Sequence, residues 1–171
     1  MRALKRAVRS AIFDRKVNTE LFFDSDATAD AVLLVAAIGA VVYFGVLARI
    51  GFGAFSVTAL LEAVIYAVVG WLILAVGTWV AATKLFDGSG QMQTMMRLHG
   101  HAELPMLLAI FGGIIGTLGL AWTLAAKVPA TGEAASLDTL KSVAAVLVGF
   151  ALVVIVRLLF RLPFMALSSL F

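Results

Sequence analysis

His99, His101 and Glu103 stand two residues apart in turn, and imidazole nitrogens with a carboxylate oxygen are donors that zinc and other divalent ions accept. The spacing argues against one shared helix face, because residues two apart point about 200° apart, and the order does not match H-E-x-x-H. The three are candidate ligands by residue type only, and the histidines are expected to face solvent or lipid. Glu62 is the one acidic residue inside the long apolar runs, a position that in a bilayer invites proton or cation coupling. It falls at the outer edge of its run, where Arg49 can neutralise it, and few other polar side chains accompany it.

The remaining chemistry is sparse. No Ser/His/Asp, Cys/His or paired-carboxylate arrangement supplies a nucleophile with a base, so the chain reads as a non-enzyme without a cofactor. Gly88-Ser89-Gly90 is not a phosphate loop, since neither the following Lys-Ser/Thr nor a preceding strand is present; it is a hinge. The absence of cysteine removes disulfides and thiolate metal sites. Basic residues without interleaved aromatics point to anionic headgroups and away from nucleic acid.

The elements that carry these residues follow from hydropathy. The 171 residues are 63% hydrophobic and 13% charged, with net charge +3, whereas soluble domains carry roughly 25% charged residues. Charge-poor runs place spans at about 31–48, 63–82, 104–126 and 142–160, each near the roughly 20 residues that cross a hydrocarbon core. Pro105 opens the third span and Lys127 and Pro129 close it, while Lys141 and Arg157 snorkel to opposite interfaces from the fourth. Residues 83–103 form an inner loop in which Met92, Met95, Met96 and Leu98 dip into headgroups. Residues 162–171 form an interfacial tail. The fold class is all-α, a polytopic bundle of about four spans, within a bundle region of 29–161.

Residues 1–28 form a cytoplasmic segment that begins with an amphipathic helix, since Leu4, Val8, Ala11 and Ile12 recur at helical spacing among Arg2, Lys5, Arg6 and Arg9. This helix is expected on anionic lipid headgroups, and it lacks the pattern of a secretory signal. With four spans, the bias of Lys and Arg puts both termini on the cytoplasmic side. Tyr43, Trp79 and Trp122 mark interfaces, and Trp71 falls mid-span. Gly112, Gly113, Gly116 and Gly119 in the third span, and Gly70 and Gly77 in the second, offer small faces for close helix packing, within the chain or between copies.

In the segment 85–108 a Gly-Ser-Gly turn follows a span, and Gly100-His101-Ala102 with Pro105 opens the next. In these residues the chain resembles the Yip (Ypt-interacting-protein) domain family, which has G-Y-A-x-x-P there, so that His101 stands in place of Tyr. The family commonly has five spans, against the four found here. The resemblance implies a multispan protein without catalytic activity that binds protein partners or shapes membranes. The expected role is a structural or interaction subunit with a membrane-protein partner or a second copy, in a prokaryotic inner membrane. The alternatives are a small transporter or channel using Glu62, and a metal-dependent membrane enzyme.

Overall fold

A computed structural model describes the backbone of residues 2–168 and the side chains of residues 2–159. Among the described residues seven α-helices follow in order: α1 (Arg2–Ala11), α2 (Arg15–Phe23), α3 (Ala27–Ile50), α4 (Val57–Leu85), α5 (Met92–His101), α6 (Gly113–Ala135) and α7 (Thr139–Ser168). Short 3-10 stretches occupy Phe52–Ala54 and Leu104–Phe111. Among the described residues four helices are long and apolar enough to cross a membrane: α3, α4, α6 and α7 over Thr139–Leu159.

The helix ends are written in the sequence. Asp14 caps α2, its carboxylate accepting the Lys16 N–H at 3.0 Å, and Ser56 caps α4, its hydroxyl accepting from Ala59 N–H at 3.3 Å. Gly51, at φ 104°, ends α3 in a conformation that favours glycine. The Tyr43 hydroxyl then ties α3 to the start of α4, donating to Ser56 O and accepting from Ser56 N–H, both at 2.9 Å.

The third span is where structure and hydropathy part. Leu104–Phe111 is not the first half of a helix but a 3-10 segment, and the chain reverses at Gly112 and Gly113, both at positive φ. These two glycines therefore make a turn and do not form the packing face expected of Gly112-x-x-x-Gly116. Gly116 and Gly119 do face the returning strand of chain: a Cβ on Gly119 would lie 2.7 Å from Leu108 Cβ, and one on Gly116 3.5 Å from Ala109 Cα. The helix that follows also runs past Pro129 to Ala135. An internal proline costs about 3 kcal/mol, but burial of Ala126, Ala130, Ala134 and Ala135 against neighbouring helices offsets it.

Of residues 83–103 only 86–91 form a loop; α4 reaches Leu85, and Met92–His101 is a helix. α5 lies inside the bundle, with Met95, Leu98, Gly100 and both histidines buried; Met95 and Leu98 pack in the core with Val17, Leu21, Ala27 and Ala75, Met96 packs against it, and Met92 stays exposed. α5 and the 3-10 segment run alongside α3 and in its direction: Arg97 meets Thr28, Gly100 meets Ala31, Ile110 meets Gly45, and Gly112 meets Arg49. Ten α-helical and eight 3-10 residues cover about 30 Å. Met92–Phe111 thus traverses the bundle as a fifth, broken crossing. Irregular backbone at membrane depth is tolerated only where protein surrounds it.

The extra crossing changes the topology. α6 runs antiparallel to it, with Thr131 beside His99, Lys127 beside Glu103 and Gly119 beside Leu108. α4 and α6 end together, where Ser89 N–H donates to Ala135 O at 2.9 Å. α7 leaves from that same end and runs antiparallel to α4, with Gly149 against Gly77 and Arg157 against Gly70. The described part of α7 therefore heads for the end that carries Arg49 and Phe52, away from α1 and α2. Among the described residues, α1 and the far end of α7 therefore lie toward opposite ends of the bundle. The expected interfacial tail at 162–171 lies outside the described side chains.

Trp122 also moves: with α6 starting at Gly113, it falls mid-helix and donates its indole N–H to Ala11 O at the end of α1, at 2.8 Å. Trp79 donates to Gly90 O at 3.0 Å, holding the Gly88-Ser89-Gly90 hinge against α4.

Candidate functional site: a buried polar seam along the broken crossing

α5 breaks the rule that a bilayer-embedded segment is apolar, and its polar groups form a seam from the α1–α2 end into the bundle. Arg97 comes first. Its Nη1 donates to the carbonyls of Leu21 and Phe22, at 3.0 and 3.1 Å, and its Nε to Thr28 Oγ1 at 3.2 Å. A cation on the last carbonyls of α2 meets the negative end of that helix. One residue of α5 thereby fixes both the end of α2 and the start of α3.

His99 and His101 are fully buried, not solvated or lipid-facing. His99 Nε2 lies 2.9 Å from Thr131 Oγ1, and His101 Nδ1 pairs with Arg97 O at 3.0 Å as a donor. Their other ring nitrogens have no hydrogen-bond partner. Glu103 turns to α6 and pairs with Lys127, whose side chain is completely buried. Lys127 Nζ also donates to His99 O at 3.1 Å. The two histidines and Glu103 are thus not brought together, each being directed to a different partner. Among the described residues no group of three His, Cys, Asp or Glu side chains is placed to hold a metal.

Sequence reasoning passed over Lys127, taking it as the end of a span. The signal was present: Ala126, Lys127, Ala130, Thr131 and Ala134 repeat at helical spacing, a small-residue face with one lysine in it. Glu62, by contrast, is exposed on the outward side of α4, and Arg49 turns to the Gly112 turn; the two form no ion pair among the described residues.

The Gly100-x-Ala102-x-x-Pro105 motif sits at the centre of the seam. A Cβ on Gly100 would lie 2.6 Å from Ala31 Cβ and 3.3 Å from the Trp71 ring, so only glycine lets α5 pass between α3 and α4. Ala102 and Pro105 are buried on either side of the change from α to 3-10 geometry. Gly100→Ala should therefore lower unfolding stability in detergent by about 1–3 kcal/mol. Ala31→Gly added to it should restore part of the loss, since it removes the opposing methyl.

At the membrane-surface end Arg6, itself buried, donates to Asp24 at 2.8 Å, with Arg2 at 3.2 Å. The Arg6 hydrogen bond holds the Asp24 carboxyl below its ordinary value. A carboxyl depressed in the folded state stabilises docking of α1 above its unfolded pKa of about 3.9, and that stabilisation is lost as pH falls through the lower folded value. Trp122 emission, isolated by Trp71→Phe and Trp79→Phe, should therefore report release of α1 only below about pH 4. Asp24→Asn should show the released signal at neutral pH.

A cavity of about 310 Å³ opens beyond Glu103, between α3, α4, α6, α7 and the 3-10 segment, and Trp71 and Arg157 also line it. No protein family, curated protein or solved structure matches the chain, so these residues are read on their own chemistry.

Proposed function

We propose that the chain is a non-catalytic integral membrane protein of Yip-like type, acting as an interaction or membrane-organising subunit in a prokaryotic inner membrane. One observation carries the reading. The charged groups of the broken crossing are joined to one another or to backbone, Lys127 to Glu103 and Arg97 to the end of α2, so they hold the architecture together. The fifth crossing supports the resemblance, because the family commonly has five spans, and the shared Gly-Ala-Pro landmarks stand where that crossing changes helix type.

Recognition then falls to the outer surfaces. α1 buries Arg6, Ala7, Ser10 and Ala11 against the bundle and exposes Leu4 and Val8, with Ile12 exposed just beyond its end, a stripe flanked by Arg2 and Lys5 that suits an anionic leaflet or a partner helix. With five crossings, Arg2, Lys5, Arg6, Arg9, Arg15, Lys16, Lys84 and Lys141 share the α1–α2 end, against Arg49 at the other. The positive-inside rule makes the α1–α2 end cytoplasmic.

Purification in mild detergent after cross-linking in native membranes tests the role. The expected product is a complex with a second membrane protein or with another copy, lost in Leu4→Glu/Val8→Glu while the bundle stays folded. A solitary chain under both conditions overturns the reading.

A further inference from the structure

We infer that the cavity behind Glu103 is a binding site for one amphipathic anion, an acyl chain carrying a carboxylate or phosphate head, taken from the surrounding bilayer. The inference rests on which hydrogen-bonding groups of the cavity wall remain uncommitted, and it stands independently of the role proposed above.

The cavity's volume, about 310 Å³, lies at the lower end of the roughly 300–1,000 Å³ of small-molecule sites. Its wall is mainly aliphatic and suits a hydrocarbon body. Five polar side chains interrupt it: Tyr43, Trp71, Glu103, Thr123 and Arg157. Three are committed. The Tyr43 hydroxyl is engaged with Ser56, Thr123 donates to Gly119 O at 2.8 Å, and Glu103 is neutralised by Lys127. Two are not. The buried Trp71 indole N–H has no acceptor, and Arg157 forms no ion pair among the described residues.

Both uncommitted groups are donors, and one of them is a permanent cation. Arg157, itself exposed on α7, reaches over Gly70, near the middle of α4, where a Cβ would lie 3.1 Å from its Nη2. A guanidinium at that depth needs an anionic partner, since an unpaired charge in hydrocarbon is costly. Neither a cation nor a donor-rich head would satisfy this wall, whereas a carboxylate or phosphate accepts from both groups and balances the charge. Either an anionic phospholipid or a free fatty acid supplies that head.

The test is native mass spectrometry of the delipidated full-length chain, titrated separately with phosphatidylglycerol, oleate and phosphatidylcholine. One tightly held adduct per chain is expected with phosphatidylglycerol, with oleate, or with both, and whichever binds names the source of the acid. Phosphatidylcholine should bind at least about tenfold more weakly, the scale of one charge-assisted hydrogen bond. Arg157→Gln should weaken the anionic adduct by about tenfold, and Trp71→Phe by severalfold. Leu120→Trp, which fills the cavity from α6, should abolish it, with unchanged melting in detergent showing that each variant is folded. Equal affinity for the three amphiphiles, or an adduct that none of the variants weakens, overturns the proposal in favour of annular lipid.

Discussion

Lys127→Met should destabilise the bundle by about 3–5 kcal/mol, the usual cost of removing one partner from a buried ion pair. Lys127 is fully buried and Glu103 largely so, and the ammonium is also the donor to His99 O. Its loss leaves a carboxylate and a carbonyl without a donor at the point where α5 gives way to 3-10 backbone. Unfolding by SDS titration or by heat, followed by circular dichroism in one detergent, measures the effect. Lys127→Met/Glu103→Gln should recover much of the loss, because the double variant removes the stranded charge. A loss under about 1 kcal/mol in the single variant would mean that the pair behaves as an exposed one and does not pin the broken crossing.

The second large effect is all-or-none and concerns which faces of the bundle the chain visits. Because the chain has no cysteine, single cysteines report accessibility without background. Phe23→Cys and Leu140→Cys sit at the α1–α2 end, Phe52→Cys and Phe111→Cys at the other, and all four positions are exposed. An impermeant maleimide applied to intact cells should label the Phe52 and Phe111 positions, and only after lysis the other two. Four uninterrupted spans predict otherwise: residue 111 would lie within the hydrocarbon and remain unlabelled. Labelling of Phe111→Cys together with Leu140→Cys would remove the fifth crossing and the topology derived from it.

Both expectations concern the segment that hydropathy read least well. Met92–His101 contains Gln93, Thr94, Arg97 and two histidines, so no window average distinguishes it from a loop. Its burial depends on partners remote in sequence: the end of α2 for Arg97, Thr131 for His99 and, just beyond it, Lys127 for Glu103. Leu104–Phe111 misled in the opposite sense. Its apolar residues continue into those of α6, and composition does not show that Gly112 turns the chain back on itself.

What could be read from residue order was local: the apolar runs that became α3, α4 and α7, the amphipathic start and the absence of any cysteine. Those features depend on side-chain type and on spacings of three or four residues, which any linear pattern records. The course of Met92–Phe111 through the bundle, the burial of His99 and His101 and the Lys127–Glu103 pair required the folded arrangement. Each depends on whether a polar group finds a partner twenty or more residues away or within one helical turn, and desolvation makes that pairing the condition for being inside the bundle at all.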